Sequence, residues 1–324
     1  MKIKGMTPVR SGIVFTLIML IFLGVSFLVS LVAWRGGSVT LSIFQNILLS
    51  ESIVLLPGLI VATVCGSEVG EIFRFRKLKV STWIYVVIFM ICIEPLVSAV
   101  NALSLLFSEN AAADIAKEYI NEDSSFFFVA MVMAVIGPLA EELAFRGIIY
   151  AGLRKSGRLL SAIVLQALLF GLMHLNLNQM SYAIVLGIAF GIMDEVTNSL
   201  WPGIIGHFMI NFGGVAGAFL VDKYMPDAYD SVYSKTDILY TFAFYAILSV
   251  LFTTLAVFML KLIAKNEPGG QFRLHRIFHS KDLKIVTSDG NTAIVKRPPV
   301  WTVPVVIGIV IAVVEMGVTA VLQM

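Results

Sequence analysis

Long apolar runs separated by short polar connections set the pattern of this chain. Runs of about 17 to 25 residues are long enough to cross a hydrocarbon core as helices. They fall at 12–34, 48–66, 82–107, 124–153, 159–175, 181–193, 201–221, 238–262 and 300–322. The pattern predicts an all-α fold, a polytopic transmembrane helix bundle of about nine spans, with 181–193 the shortest run. The first run continues well past Lys2, Lys4 and Arg10 and lacks the short apolar core of a signal peptide, so it reads as a retained helix.

The connections alternate in charge. Those at 74–79, 154–158 and 261–296 are basic, whereas 108–123 and 222–237 are rich in Asp and Glu. The positive-inside rule then places the basic set and the N-terminus in the cytoplasm, as an odd number of spans requires. The expected organisation is N-terminal transmembrane helices over 1–123, a polar-residue core over 124–221, a loop and helix over 222–262, a cytoplasmic linker over 263–299 and a last helix over 300–324. The linker is too short to bury a core, and Ser288-Asp289-Gly290-Asn291 predicts a small hairpin within it.

Composition agrees with the pattern. Hydrophobic residues make up 58% of the chain and charged residues 14%, against about 25% charged in a soluble domain. The protein is therefore expected in a cell membrane as a multi-pass protein, in contact with membrane lipid. A net charge of +2, without a basic stripe carrying aromatics, excludes nucleic acid as a partner. Cys65 and Cys92 both lie in apolar runs and read as small packing residues. His275 and His279, four apart among Arg273, Arg276 and Lys281, read as a solvated basic face.

Against this background Gly137-Pro138-Leu139-Ala140-Glu141-Glu142-Leu143-Ala144-Phe145-Arg146-Gly147 stands out, because it puts two carboxylates and a guanidinium inside an apolar run. Each ionised group at the bilayer centre costs roughly 2.5 to 3.5 kcal/mol on insertion scales. On a helix Glu142 and Arg146 share a face and can pair, which leaves Glu141, about 100° away, without a local partner. Two histidines, His174 and His207, also lie in apolar runs, and either alone would serve as an interhelical hydrogen-bonding group. At 1.5 Å per residue Glu141 and His174 both lie roughly 20 to 24 Å from the basic connection between their helices. His207, only six residues past Trp201, would be shallower unless its helix begins below the surface or 194–206 re-enters.

Several other features are weaker. His207 and Asn211 share a helical face as hydrogen-bond donors. Gly187-x-x-x-Gly191 and Gly213-x-x-x-Gly217 would permit close helix approach. Glu94-Pro95 marks a kink whose carboxylate either lines a cavity or is satisfied locally, and Glu51 is expected to reach the interface. Phe170-Gly171-Leu172-Met173-His174 is echoed by Phe190-Gly191-Ile192-Met193-Asp194, but five residues of apolar sequence match readily by chance.

A carboxylate, two imidazoles and an amide in a wet cavity suit hydrolysis: a buried carboxylate serves as general base, and His and Asn donors stabilise an oxyanion. Two His and one Glu with an open fourth position would also make a catalytic zinc site, with Glu141, Glu142, His174 and His207 as candidate ligands. The spacing does not match H-E-x-x-H.

Glu141-Glu142-x-x-x-Arg146, Phe170-x-x-x-His174 and His207-x-x-x-Asn211, in order on separate runs, resemble the three motifs of the CAAX protease and bacteriocin-processing (CPBP, or Abi) family of intramembrane proteases, which includes the type II CAAX prenyl endopeptidases. The resemblance covers about 124–221. It implies that Glu141 and His174 activate water, that His207 and Asn211 form the oxyanion hole, and that Glu142, Arg146 and Phe170 support them. It further implies an intramembrane endopeptidase acting on a membrane-associated protein or peptide. The family is called metalloprotease, so zinc stays open as a cofactor. A catalytically silent scaffold or bacteriocin-immunity protein on the same fold is the alternative. An ion-coupled transporter is a third reading, against which the chain shows no matched halves with paired broken helices.

Overall fold

The computed structural model describes residues 4–109, 125–225, 234–279, 283–286, 292–295 and 297–322. The acidic segments centred on 110–124 and 226–233 and the Ser288–Asn291 turn lie outside the described residues. Each of the nine apolar runs is realised as a helix. We label these α1 (Pro8–Trp34), α2 (Ile43–Val64), α3 (Val80–Ser104), α4 (Phe126–Ser156), α5 (Leu159–Met173), α6 (Leu177–Thr197), α7 (Trp201–Tyr224), α8 (Lys235–Asn266) and α10 (Val303–Leu322), with a short amphipathic α9 (Gly270–Phe278) between the last two. Seven of them are long and apolar enough to cross a membrane, and α5 and α10 are shorter apolar helices. The 181–193 run, the shortest in the sequence, lies inside a 21-residue helix, because Asn176 caps its start by accepting from Gln179 N. Polar Asn178, Gln179 and Glu195 sit within the helix, where hydropathy alone does not count them. The chain is a polytopic helical membrane bundle, and its outward side chains, such as Phe127, Ile247 and Val250, are apolar and exposed as lipid-facing residues should be.

The helices pair extensively as α3 with α8, α5 with α6 and α1 with α10. The last helix returns to the first, where Thr16 Oγ1 donates to Pro304 O at 2.6 Å and Ser26 Oγ to Glu315 Oε1 at 2.9 Å. Glycine sets the α5–α6 spacing. A Cβ on Gly187 would stand 2.8 Å from that of Ala167, and one on Gly191 would stand 3.0 Å from Gln166 Nε2. Gly213 and Gly217, by contrast, have nothing within 4 Å of such an atom among the described residues, so the expected second close approach does not form.

The 263–299 segment is more than a linker. Its α9 packs on α5, α6 and α8, Ile277 is buried, and Arg273 Nε donates to Val196 O at 2.8 Å. The hairpin strands pair antiparallel, Leu283 with Val295 through Val286 with Thr292. His275 and His279 stack with centroids 4.2 Å apart on the exposed face of α9. Cys65 and Cys92 are free thiols.

Candidate active site

The helix carrying Glu141 and Glu142 is not uniform. In α4 the hydrogen bonding widens to π-helix over Met131–Ile136 and again over Leu143–Ile149, with Gly137–Glu142 as α-helix between them. Such bulges are rare and concentrate at functional sites. The first leads directly into Pro138. Gly137 N bonds five residues back to Val132 O. In that register the next carbonyl, Met133 O, would accept from residue 138, which is proline and has no N–H. Asn211 Nδ2 supplies the missing donor at 2.9 Å from Met133 O, tying α7 to the bulge.

Glu142 and Arg146 pair as their spacing predicts, at 2.9 Å, and both side chains are fully buried. The guanidinium lies between two rings, its Cζ 4.1 Å from the centre of Phe170 and 5.3 Å from that of Phe190. His207 also fits between these rings, at 5.7 and 5.6 Å. The echo between Phe170 and Phe190, which carried no argument in sequence, thus corresponds to two rings from neighbouring helices flanking one cation and one imidazole.

His207 joins both carboxylates. Its Nδ1 lies 2.9 Å from Glu142 Oε1 and its Nε2 lies 3.5 Å from Glu141 Oε2. Glu141 therefore finds its partner on α7. The α6–α7 turn that precedes His207 is buried in the protein: Ser199 and Leu200 are inaccessible. The extended segment after Ile72 covers them, with Leu200 N donating to Arg74 O at 3.0 Å and Ser199 Oγ to Arg76 O at 2.9 Å. The helix begins beneath this covering segment.

His174 caps the C-terminal end of α5. Its Nδ1 lies 2.9 Å from Phe170 O; a carbonyl only accepts, so Nδ1 carries the proton and the neutral ring keeps a lone pair on Nε2. The His174 ring packs edge-on to Phe170 at 5.0 Å. Phe170 is thus in contact with both imidazoles and the guanidinium.

Two further carboxylates were not singled out for the site from sequence. Asp194 is fully buried, and its Oδ1 accepts from Gly203 N at 2.8 Å. Asp194 Oδ2 and Glu142 Oε2, both without hydrogen-bond partners among the described residues, each lie 2.8 Å from where a Cβ on Gly203 would stand. The signal that could have found Asp194 was its place at the end of the Phe190 echo. Glu51, expected at the interface, instead turns inward: it is half-buried beside Gly137, its Oε2 without a hydrogen-bond partner among the described residues. Glu94 does not line this site; its side chain is exposed and accepts from Ser98 Oγ at 2.7 Å.

Zinc would need at least three of the candidate ligands to converge. Among the described residues no three His, Cys, Asp or Glu side chains group so as to hold a metal ion. Glu142 is taken by Arg146 and His207, while His174 and His207, each held at Nδ1 by a protein oxygen, keep Nε2 as the nitrogen a metal would use.

Comparison with known proteins follows the same residues. Residues 123–213 match the family model described as type II CAAX prenyl endopeptidase Rce1-like. Over 81 residues the chain is 28% identical to "Putative membrane peptidase YdiL" of Bacillus subtilis (strain 168), an alignment covering 25% of this chain and 33% of that protein. The chain thus spans about a third of the length of that curated relative. No solved structure matches. The family match and the relative together support the CPBP/CAAX protease family.

Proposed function

We propose that this protein is an intramembrane endopeptidase that hydrolyses a peptide bond of a membrane-associated protein or peptide, in the plasma membrane of a bacterium. The observation that carries the reading is the Glu141 carboxylate, 3.5 Å from His207 Nε2, in a cluster where Phe170 packs against both intramembrane imidazoles. Glu141 takes a proton from water, aided by the free Nε2 lone pair of His174, and the hydroxide attacks the peptide carbonyl. With both ring nitrogens of His207 carrying hydrogen, Nδ1–H toward Glu142 and Nε2–H toward the reacting centre, the oxyanion receives the Nε2–H of His207 and the second N–H of Asn211, whose first is committed to Met133. The tetrahedral carbon then expels the amine, which takes the proton held by Glu141. Glu142, fixed by Arg146, orients His207 through Nδ1. No step passes through a metal.

One observation favours the scaffold reading: the same contacts of His207 and Asn211 also clamp α7 to α4. A cleavage assay on purified protein with membrane peptides separates the two. Glu141→Ala and His174→Ala should fold and lose cleavage; variants that keep the biological activity in cells would establish a scaffold. Elemental analysis of the same preparation should find metal well below stoichiometry, and one zinc per chain would overturn direct Glu/His activation.

A further inference from the structure

A polar cavity lies away from Glu141, His174, His207 and Asn211 and shares none of them in its lining. It occupies about 610 Å³ where the extended segment after Ile72 meets the ends of α4 and α6 and the face of α9. Six cations line it, Arg74, Arg76, Arg154, Lys155, Arg273 and Arg276, against the two carboxylates Glu71 and Glu195. They come from three separate stretches of chain, so the cluster is a product of the fold.

The internal pairing leaves positive charge over. Glu195 serves both Arg74, at 3.4 Å, and Arg154, at 2.9 Å, and also accepts from the Tyr150 hydroxyl at 3.2 Å. Lys155 has Glu71 at 3.2 Å. Arg74 is the unusual member: 5% exposed, it has no hydrogen-bond partner for Nε and Nη2 among the described residues. Burial, and then the neighbouring Arg154, push its guanidinium below the ordinary value. A buried guanidinium with unmet donors is destabilising unless an acceptor reaches it. Arg276 and Arg76 stand exposed at the rim, and Phe272, 65% exposed, offers an apolar surface beside them.

We propose that this cavity binds a phosphate oxyanion, with Arg74 donating from inside and Arg76 and Arg276 from the rim. Guanidinium donors match phosphate oxygens in pairs, and the cavity volume exceeds what a phosphate needs, leaving room for an esterified headgroup. The apolar rim at Phe272 suits a phosphodiester with acyl chains, and free phosphate shares the same recognition chemistry. This inference goes beyond the peptidase reading and does not depend on it.

The test uses the full chain in phosphatidylcholine nanodiscs and in detergent micelles. Phosphatidylglycerol is offered in the first and inorganic phosphate in the second, at matched ionic strength. Native mass spectrometry should show phosphatidylglycerol retained over phosphatidylcholine, and Arg74→Gln should weaken retention roughly tenfold, the scale of a lost charge-assisted pair. Should Arg74→Gln fail to fold, the rim variant Arg76→Gln/Arg276→Gln carries the same expectation. A thermal shift with inorganic phosphate that these substitutions abolish identifies free phosphate as a sufficient ligand; retention of the lipid alone identifies the headgroup. Binding of neither probe, or binding that both variants leave unchanged, overturns the proposal.

Discussion

Replacing Arg146 by methionine keeps much of the side chain's bulk between Phe170 and Phe190 and removes its charge. Glu142, fully buried and 2.9 Å from the guanidinium, then loses its cation while Asp194 still converges with it on Gly203. Breaking a buried ion pair from one side costs about 3 to 5 kcal/mol. The lost cation–π contacts add about 1 to 2 kcal/mol, offset in part by methionine against the rings. Against a total stability of about 5 to 15 kcal/mol, this is enough to reduce folded protein severely. The assay is the monodisperse yield from size-exclusion chromatography in detergent, the thermal midpoint, and peptide cleavage per folded molecule. Arg146→Met should lower yield and midpoint more than specific activity. Adding Glu142→Gln should recover part of the loss, with a coupling of about 1 to 3 kcal/mol. Normal yield with lost cleavage, or losses that simply add in the double variant, would refute the counter-ion role and give the arginine a part in the chemistry.

Three further outcomes follow from particular contacts. Asn211→Ala should leave Met133 O without a donor and lower stability by about 1 to 3 kcal/mol; in a Pro138→Ala background, where residue 138 regains its N–H, thermal denaturation should show a smaller loss. Gly203→Ala should drive a methyl to 2.8 Å from both Glu142 Oε2 and Asp194 Oδ2 and sharply reduce folded yield, and a wild-type midpoint would mean the two carboxylates part freely. Gly213→Ala, with open space at its Cβ position, should be neutral or slightly stabilising, as expected for glycine in a helix interior, and a destabilised variant would reveal a packing partner.

The helical content and the nine apolar segments were legible because a membrane helix must satisfy its own backbone within one contiguous apolar run. The Glu142–Arg146 pair was legible for a similar reason: positions four apart on one helix meet whatever surrounds them. Glu141, His174, His207 and Asn211 could be nominated because polar groups in apolar runs are few, and Phe170 only through the motif that it shares with His174. Their partners could not be read. That His207 lies between both glutamates, that Asn211 answers the carbonyl orphaned by Pro138, and that Asp194 and Glu51 turn inward all depend on helix rotation and depth. Hydropathy fixes neither.

By itself, then, the sequence determined the number of apolar segments, the local ion pair and the short set of residues able to do chemistry, since these follow from spacing along one strand of chain. Only the tertiary structure decided which groups face one another across helices. The burial of the α6–α7 turn, the docking of α9 and the convergence of guanidinium groups around Arg74 arise from segments distant in sequence. Their contacts are set by packing between helices and not by any local period.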